Sequence, residues 1–186
     1  RMHTKDMPKQ FLRMHGKPII IHTIEQFEFH EKIDNIVVAC IKDWVPYLKE
    51  LVERYNLKKV AKVVPGGSNS QQSIYFGLCA AKEIACEGKN IVLIHDGVRP
   101  LINKKIINDS IESVEEHGSA IASVKVKETV LLVDQFNEIV EIPERKDSRL
   151  ARAPQSFWLD EILAAHKKAI SEGKTEFIDS CSLMQH

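Results

Sequence analysis

The sequence predicts an α/β fold, a three-layer αβα, Rossmann-like sandwich with a protruding β-arm. Three observations carry this reading. Four short runs rich in β-branched residues recur between residues 36 and 124. Segments with apolar residues at helical spacing separate them. Residues 125–151 then break the alternation with a period of two. Short apolar strands alternating with helices imply a mostly parallel sheet covered on both faces, and right-handed crossovers complete the sandwich.

Taken in order, Gly16-Lys17-Pro18 predicts a turn into a helix starting near Ile19. The first strand run is residues 36–39 (Ile-Val-Val-Ala). A stripe of Val45, Leu48, Leu51, Val52 and Tyr55 follows, and then the second run, residues 60–64. Ile74, Gly77, Leu78, Ala81 and Ala85 form the next stripe, ahead of the run at 91–94. Ile107, Ile111 and Val114 mark a third helix before the last run, 120–124. Ligands of open sheets bind beyond the carboxyl ends of strands, so the loops beginning near Pro65, Asp96 and Lys125 are the ones that matter. In the arm, Val126, Glu128, Val130 and Leu132 alternate with their neighbours, and the polar break Asp134-Gln135 precedes Ile139, Val140 and Ile142. A hairpin alone is marginal in water. It must pack on a second copy of the chain or on its own domain.

One globular catalytic domain over residues 1–186 suits a chain that is 44% hydrophobic, enough for a real core. The 26 basic and 26 acidic residues cancel. That excludes strong electrostatic attraction to nucleic acid or a membrane and leaves room for a local basic pocket. No apolar run reaches a membrane-spanning length and no signal peptide is visible. Because the chain starts with Arg1, a preceding segment is expected. Cys40, Cys79, Cys86 and Cys181 lack metal or disulfide spacing, with Cys79 and Cys86 expected on one helix. They read as buried, reduced thiols of a cytoplasmic protein. The eight histidines form no ligand pair, so no structural zinc site is expected.

The most informative segment is residues 1–12, Arg-Met-His-Thr-Lys-Asp-Met-Pro-Lys-Gln-Phe-Leu, which places three cations within nine residues. Pro8 stiffens the approach to Lys9. A solvated basic loop would read the same way. Farther along, Gly66-Gly67 follows a strand and precedes a helix near Ser70, where backbone amides are free to approach a ligand closely. The alternative there is an ordinary turn with a capping serine. Asp96 directly follows the apolar run 91–94, suited either to a magnesium ion, which prefers one or two carboxylates with phosphate oxygens and water, or to capping its own loop.

Pro8-Lys9-Gln10-Phe11-Leu12 followed by Gly16-x-Pro18-Ile19 resembles the start of the cytidylyltransferases that act on methylerythritol phosphate and ribitol phosphate. Arg1-Met2 would then be the tail of their Gly-rich loop. The resemblance continues in register through Gly66-Gly67 with Ser73-Ile74-x-x-Gly77-Leu78, then His95-Asp96-x-x-Arg99-Pro100, then Thr129, Arg145 and Pro154-Gln155-x-Phe157. It spans essentially the whole chain. It implies a nucleotidyltransferase sandwich, a Mg²⁺-dependent cytidylyl transfer from CTP to a polyol phosphate, and a homodimer joined through the arm. Arg1 and Lys9 would face the α-phosphate. Gly66, Gly67, Ser68 and Ser73 would hold the cytosine, with Asp96 binding both metal and a polyol hydroxyl. Thr129 and Arg145 would bind the polyol phosphate, Arg149 or Arg152 replacing Arg145 if the register slips. Arg99 would brace its loop and His95 would be structural.

The sequence departs from the family pattern in three places: the glycines of the phosphate loop do not precede Arg1, Ser70 stands where an arginine is expected, and the Asn-x-Lys segment does not lie within residues 1–186. Ala153 in place of a threonine is a milder change. Val98 leans toward ribitol phosphate, whereas the sequence 145–150 lacks the arm pattern of that branch. The primary expectation is methylerythritol phosphate, for isoprenoid precursors. The alternatives are ribitol phosphate, a nucleotide-binding homologue without turnover, and a sugar-1-phosphate nucleotidyltransferase using another base.

Overall fold

The computed structural model describes residues 7–186. Arg13–Met14 (β1) and Lys17–Pro18 (β2) form a small antiparallel ladder. Gly16 closes their turn with φ +79°, a left-handed conformation suited to glycine. The chain then enters helix α1, Ile19–Glu28, whose buried face is Ile20, Ile21 and Ile24. Strands β3 (Ile36–Cys40) and β4 (Val60–Pro65) pair in parallel, with helix α2 (Val45–Arg54) between them in sequence. Leu48 and Leu51 of α2 are fully buried with Phe11 and the isoleucines of α1 in one cluster. Phe11 stacks on Trp44 at 4.9 Å between ring centroids. Glu28 closes this half of the fold from below. Its carboxylate accepts the backbone N–H groups of Lys58 and Lys59 at 2.7 and 2.9 Å, satisfying donors at the entry to β4.

Helix α3 is Ser70–Lys82, followed by β5 (Ile91–Ile94), α4 (Lys104–His117) and β6 (Ser119–Lys125). Asn103 caps α4 at its start by accepting the N–H of Ile106, and Gly118 ends it at φ +86°. The expected strand runs and helical stripes, apart from Ala85, fall inside these elements or at their ends. Two expectations are corrected. Ala85 and Cys86 lie past the end of α3, and Cys86 is exposed, so only Cys40 of the four free thiols is buried.

The larger correction concerns the sheet. Strand β9, Arg149–Trp158, runs antiparallel between β5 and β6 in a three-stranded sheet, and the parallel pair β3–β4 forms a separate ladder, so the described strands do not make one mostly parallel sheet. Its sequence hides this, because Arg152 and Pro154 argue against a central strand. The ladder explains the tolerance. Pairing with β6 jumps from Gln155 opposite Ile121 to Ala151 opposite Ser123, so Pro154 sits in an irregularity that demands no ladder hydrogen bond from it.

Strands β7 (Leu132–Val133) and β8 (Ile139–Glu141) pair as the arm hairpin. Asp134 builds its turn, accepting the N–H groups of Phe136 and Glu138, while Asn137 takes φ 62°. The expected arm at 125–151 therefore begins on the last residue of β6 and ends inside β9.

Helices α5 (Leu159–Ser171) and α6 (Ser180–Gln185) finish the described chain. His166 of α5 is 1% exposed, and neither ring nitrogen has a hydrogen-bond partner among the described residues. Burial lowers its pKa from 6.5 to about 4. The unfolded chain thus binds a proton that the folded chain refuses between these values. Stability from this group is complete above pH 6.5 and lost as pH falls toward 4, by about 3 kcal/mol in total. Urea unfolding at pH 7.5 and 4.5 checks this: His166→Leu flattens the acid loss, and an unchanged acid limb refutes the assignment.

Candidate active site

The loops at the strand ends are built by side chains of defined purpose. Beyond β3 and β4, the N–H of Gly66 donates to Cys40 O at 2.6 Å, and the N–H of Gly67 donates to Ser73 Oγ at 3.0 Å. Ser73 Oγ in turn donates to Asn69 O. Asn69 is the N-cap of α3, accepting the N–H of Gln72 at 2.8 Å. Gln72 Oε1 accepts both the N–H and the hydroxyl of Ser68. The structure therefore brings Gly66, Gly67, Ser68 and Ser73 into one knot at the N-terminus of a thirteen-residue helix, where amides and the helix dipole favour polar or anionic ligand groups. A Cβ on Gly66 would stand 3.0 Å from Ser73 Oγ, and one on Gly67 only 2.4 Å from the Gln72 side chain. Close approach rather than unusual φ requires glycine at 67, and it leaves position 66 tight against the Ser73 hydroxyl. Asn69 and Gln72 were not singled out in the sequence; the signal available was an N-cap asparagine three residues before a glutamine.

Beyond β5, Asp96 is held by Arg99, whose Nε donates to Asp96 Oδ2 and whose N–H donates to Asp96 O. Arg99 thus braces the loop, as expected. His95 is structural: its Nε2 meets Arg99 O at 3.0 Å and its ring lies on Phe27. Burial holds the His95 pKa below the ordinary imidazole value, so it stays neutral near pH 7. Gly97 packs on Ile20, and its carbonyl accepts Thr23 Oγ1 at 3.0 Å, seating the Asp96 loop on α1. The segment carrying Lys9 is fastened to the same helix, since Ile19 N–H donates to Leu12 O at 2.9 Å. Lys9 itself is exposed in the short 3-10 turn Lys9–Phe11 and makes no ion pair among the described residues. Arg1 lies outside the described residues.

In the arm, Arg145 Nη2 donates to Thr129 Oγ1 at 3.2 Å. These two exposed residues, sixteen apart in sequence, meet as a pair. Arg149 and Arg152 instead turn back onto local carbonyls, Arg149 on Lys146 O and Ser148 O and Arg152 on Ala151 O. Both remain exposed, so only the pairing distinguishes Arg145.

Comparison with known proteins gives these loops a context. Over 184 residues the chain is 54% identical to the ribitol-5-phosphate cytidylyltransferase of Streptococcus agalactiae serotype V, covering 99% of this chain and 76% of that protein. The 2-C-methyl-D-erythritol 4-phosphate cytidylyltransferase of Clostridium botulinum (strain 657) is 37% identical over 166 residues, covering 89% and 71%. The crystal structure of the Francisella tularensis 2-C-methyl-D-erythritol 4-phosphate cytidylyltransferase superposes with a TM-score of 0.76 at 27% identity, covering 97% of this chain and 80% of that one. The family described as IspD, 2-C-methyl-D-erythritol 4-phosphate cytidylyltransferase, matches residues 1–186. The chain belongs to that family and is a nucleotidyltransferase of the cytidylyl-transferring kind.

Proposed function

We propose that the enzyme transfers the cytidylyl group of CTP to D-ribitol 5-phosphate, forming CDP-ribitol and releasing pyrophosphate. The observation that carries this reading is the 54% identity to a ribitol-5-phosphate enzyme, against 37% for a methylerythritol phosphate enzyme. It reverses the primary sequence expectation in favour of the alternative, and Val98 before Arg99 agrees with it. Pyrophosphate release from the full-length protein with CTP, Mg²⁺ and each polyol phosphate is the test. The expected kcat/KM favours ribitol 5-phosphate about a hundred-fold. Equal or reversed preference removes the substrate assignment. Turnover with neither indicates a nucleotide-binding homologue without catalysis, and faster turnover with UTP or GTP indicates another base.

In this reading, an oxygen of the polyol phosphate attacks the α-phosphorus of CTP as the pyrophosphate oxygen leaves. Charge builds on the phosphoryl oxygens, so the protein contributes cations and alignment rather than a covalent nucleophile. Lys9 and Arg1 supply positive charge to the α-phosphate. The Gly66–Gly67–Ser68 loop and Ser73 receive the cytosine, which presents both donors and acceptors to a knot rich in both. Mg²⁺ would be held by Asp96, whose Oδ1 has no hydrogen-bond partner among the described residues while Arg99 occupies Oδ2. A lone carboxylate is the donor set of a magnesium ion completed by phosphate oxygens and water. When bound, the metal screens the triphosphate charge.

Thr129 and Arg145 supply a hydroxyl and a guanidinium fork for the polyol phosphate. Arg145→Ala is expected to raise the polyol phosphate KM about ten-fold or more with the CTP KM unchanged. An unchanged polyol KM points instead to Arg149 or Arg152. The arm exposes Leu132, Val133, Phe136, Ile139, Val140 and Ile142 together, with Phe136 73% and Val140 64% exposed. So many exposed apolar side chains on one short hairpin favour a second copy of the chain as their cover. Phe136→Ser with Val140→Ser is expected to convert a dimer to a monomer in sedimentation experiments, and a wild-type monomer overturns this. No helix among the described residues is long and apolar enough to cross a membrane, and the four free cysteines fit a reducing, cytoplasmic setting.

A further inference from the structure

Gln71 lies on the first turn of α3 yet is only 5% exposed. Its amide does not face the ligand side of the knot described above. It spans to the segment after α5. Nε2 donates to Lys174 O at 3.0 Å, and Oε1 accepts the N–H of Phe177 at 2.9 Å. Beside it, Asn69 uses the amide nitrogen left free by its capping role to donate to Thr175 O at 2.9 Å. Two amide side chains two residues apart, Asn69 and Gln71, thus clamp residues 174–177, a stretch without regular structure, onto the turn that bears Ser73.

Apolar packing alone does not hold this strap. The space beneath it is lined by Gln71, Ile74, His166, Phe177, Ser180 and Leu183. Within it, both nitrogens of His166 and the hydroxyl of Ser180 have no hydrogen-bond partner among the described residues. A contact with unsatisfied polar atoms is a weak spring. The far end of the strap is fixed separately: Gln155 of β9 donates to Asp179 Oδ2 and accepts the N–H of Cys181 at 2.9 Å. The Gln71 amide supplies two of the three side-chain bonds that fasten the strap to the first turn of α3 among the described residues, and the register of α3 against the strap depends on it.

We propose that Gln71 is a positioning residue for the nucleotide. By locking the strap 174–177 to the first turn of α3, it holds Ser73 and the Gly66–Ser68 loop at the spacing that accepts the base. This rests on the assignment of that loop to the nucleotide. Loss of both hydrogen bonds leaves the Lys174 carbonyl and the Phe177 N–H without partners, lets the strap shift, and tilts the cap that aligns Gly67 N–H with Ser73 Oγ.

The test is steady-state kinetics of the full-length enzyme with CTP and ribitol 5-phosphate for Gln71→Leu, Gln71→Glu and Ser73→Ala. Gln71→Leu keeps the buried volume and removes both bonds. It is expected to raise the CTP KM about ten-fold, one neutral hydrogen bond's worth, with the polyol phosphate KM unchanged. Gln71→Glu keeps the acceptor for Phe177 and is expected to recover part of that loss, which a purely space-filling role would not produce. An unchanged CTP KM in Gln71→Leu, with a raised one in Ser73→Ala, overturns the positioning role and leaves the nucleotide assignment standing. If Ser73→Ala also leaves the CTP KM unchanged, the nucleotide assignment itself falls, and the proposal with it. Equal increases in both KM values overturn it as a general loss of structure. Should Gln71→Leu not fold, the same comparison between Gln71→Glu and wild type decides, an unchanged CTP KM overturning the proposal.

Discussion

Replacing Lys9 with alanine is expected to lower kcat/KM for cytidylyl transfer by about 10²-fold and to leave the thermal midpoint within about 2 °C of wild type. The magnitude follows from removing one fixed positive charge from a site where two polyanions must meet. The lack of effect on stability follows from the geometry. Lys9 is exposed, its turn is secured by backbone bonds, and the burial there belongs to Phe11. Lys17, eight residues on, is the contrasting control. It pairs with Glu25 at 2.6 Å and lies over the Tyr55 ring at 5.5 Å. Lys17→Ala is therefore expected to lower the melting temperature measurably, because a half-buried pair and a cation–π contact are lost. Parallel kinetics and thermal melts read both. Near-normal rates in Lys9→Ala would remove that residue from the chemistry.

Gly67→Ala is expected to lower kcat/KM by a similar factor, chiefly through a raised CTP KM. The added methyl would lie 2.4 Å from Gln72 Cγ and 2.5 Å from Gln72 Cβ. The second contact is decisive. Cβ is fixed to the helix backbone and has no torsion by which to swing aside, so the loop must move instead. Displaced, Gln72 releases the Ser68 N–H and hydroxyl it accepts, and the knot opens at its centre. Gly88→Ala serves as the comparison. Gly88 has φ +94° with nothing within 4 Å of a built Cβ, so its cost is backbone strain of about 1 kcal/mol away from the loop. It is expected to melt slightly earlier and turn over normally. Normal CTP affinity in Gly67→Ala would show that the glycine is there for folding alone.

These residues also show how far the sequence carries. The stripes Leu48–Leu51 and Ile107–Ile111–Val114 were legible because a one-faced helix must repeat its apolar side chains every three or four positions, and those residues are buried as expected. The site loops were legible because strand ends in such sheets carry ligands. Strand β9 was not. Its burial changes along its length, from exposed at Arg149 to fully covered at Ser156 and Phe157, so no single period describes it. Gln71 was equally hidden, since a buried glutamine in a helix has no local signature until its distant partners, over a hundred residues away, are in place. The pairing of Thr129 with Arg145 came from motif register and not from any local pattern.

Strand β9 carries one further consequence. It starts at Arg149, at the foot of the arm, where Arg149 to Ala151 pair with Lys125 to Ser123 of β6. Past the irregularity at Pro154 the same strand is flanked by β6 and by β5, with Gln155 opposite Ile94. The foot of the arm is therefore rooted in the wall of the domain on both of the strands that lead to it. One strand thus runs from the arm to the neighbour of Ile94, two residues ahead of Asp96, so the outlying hairpin and the Asp96 loop share a common beam.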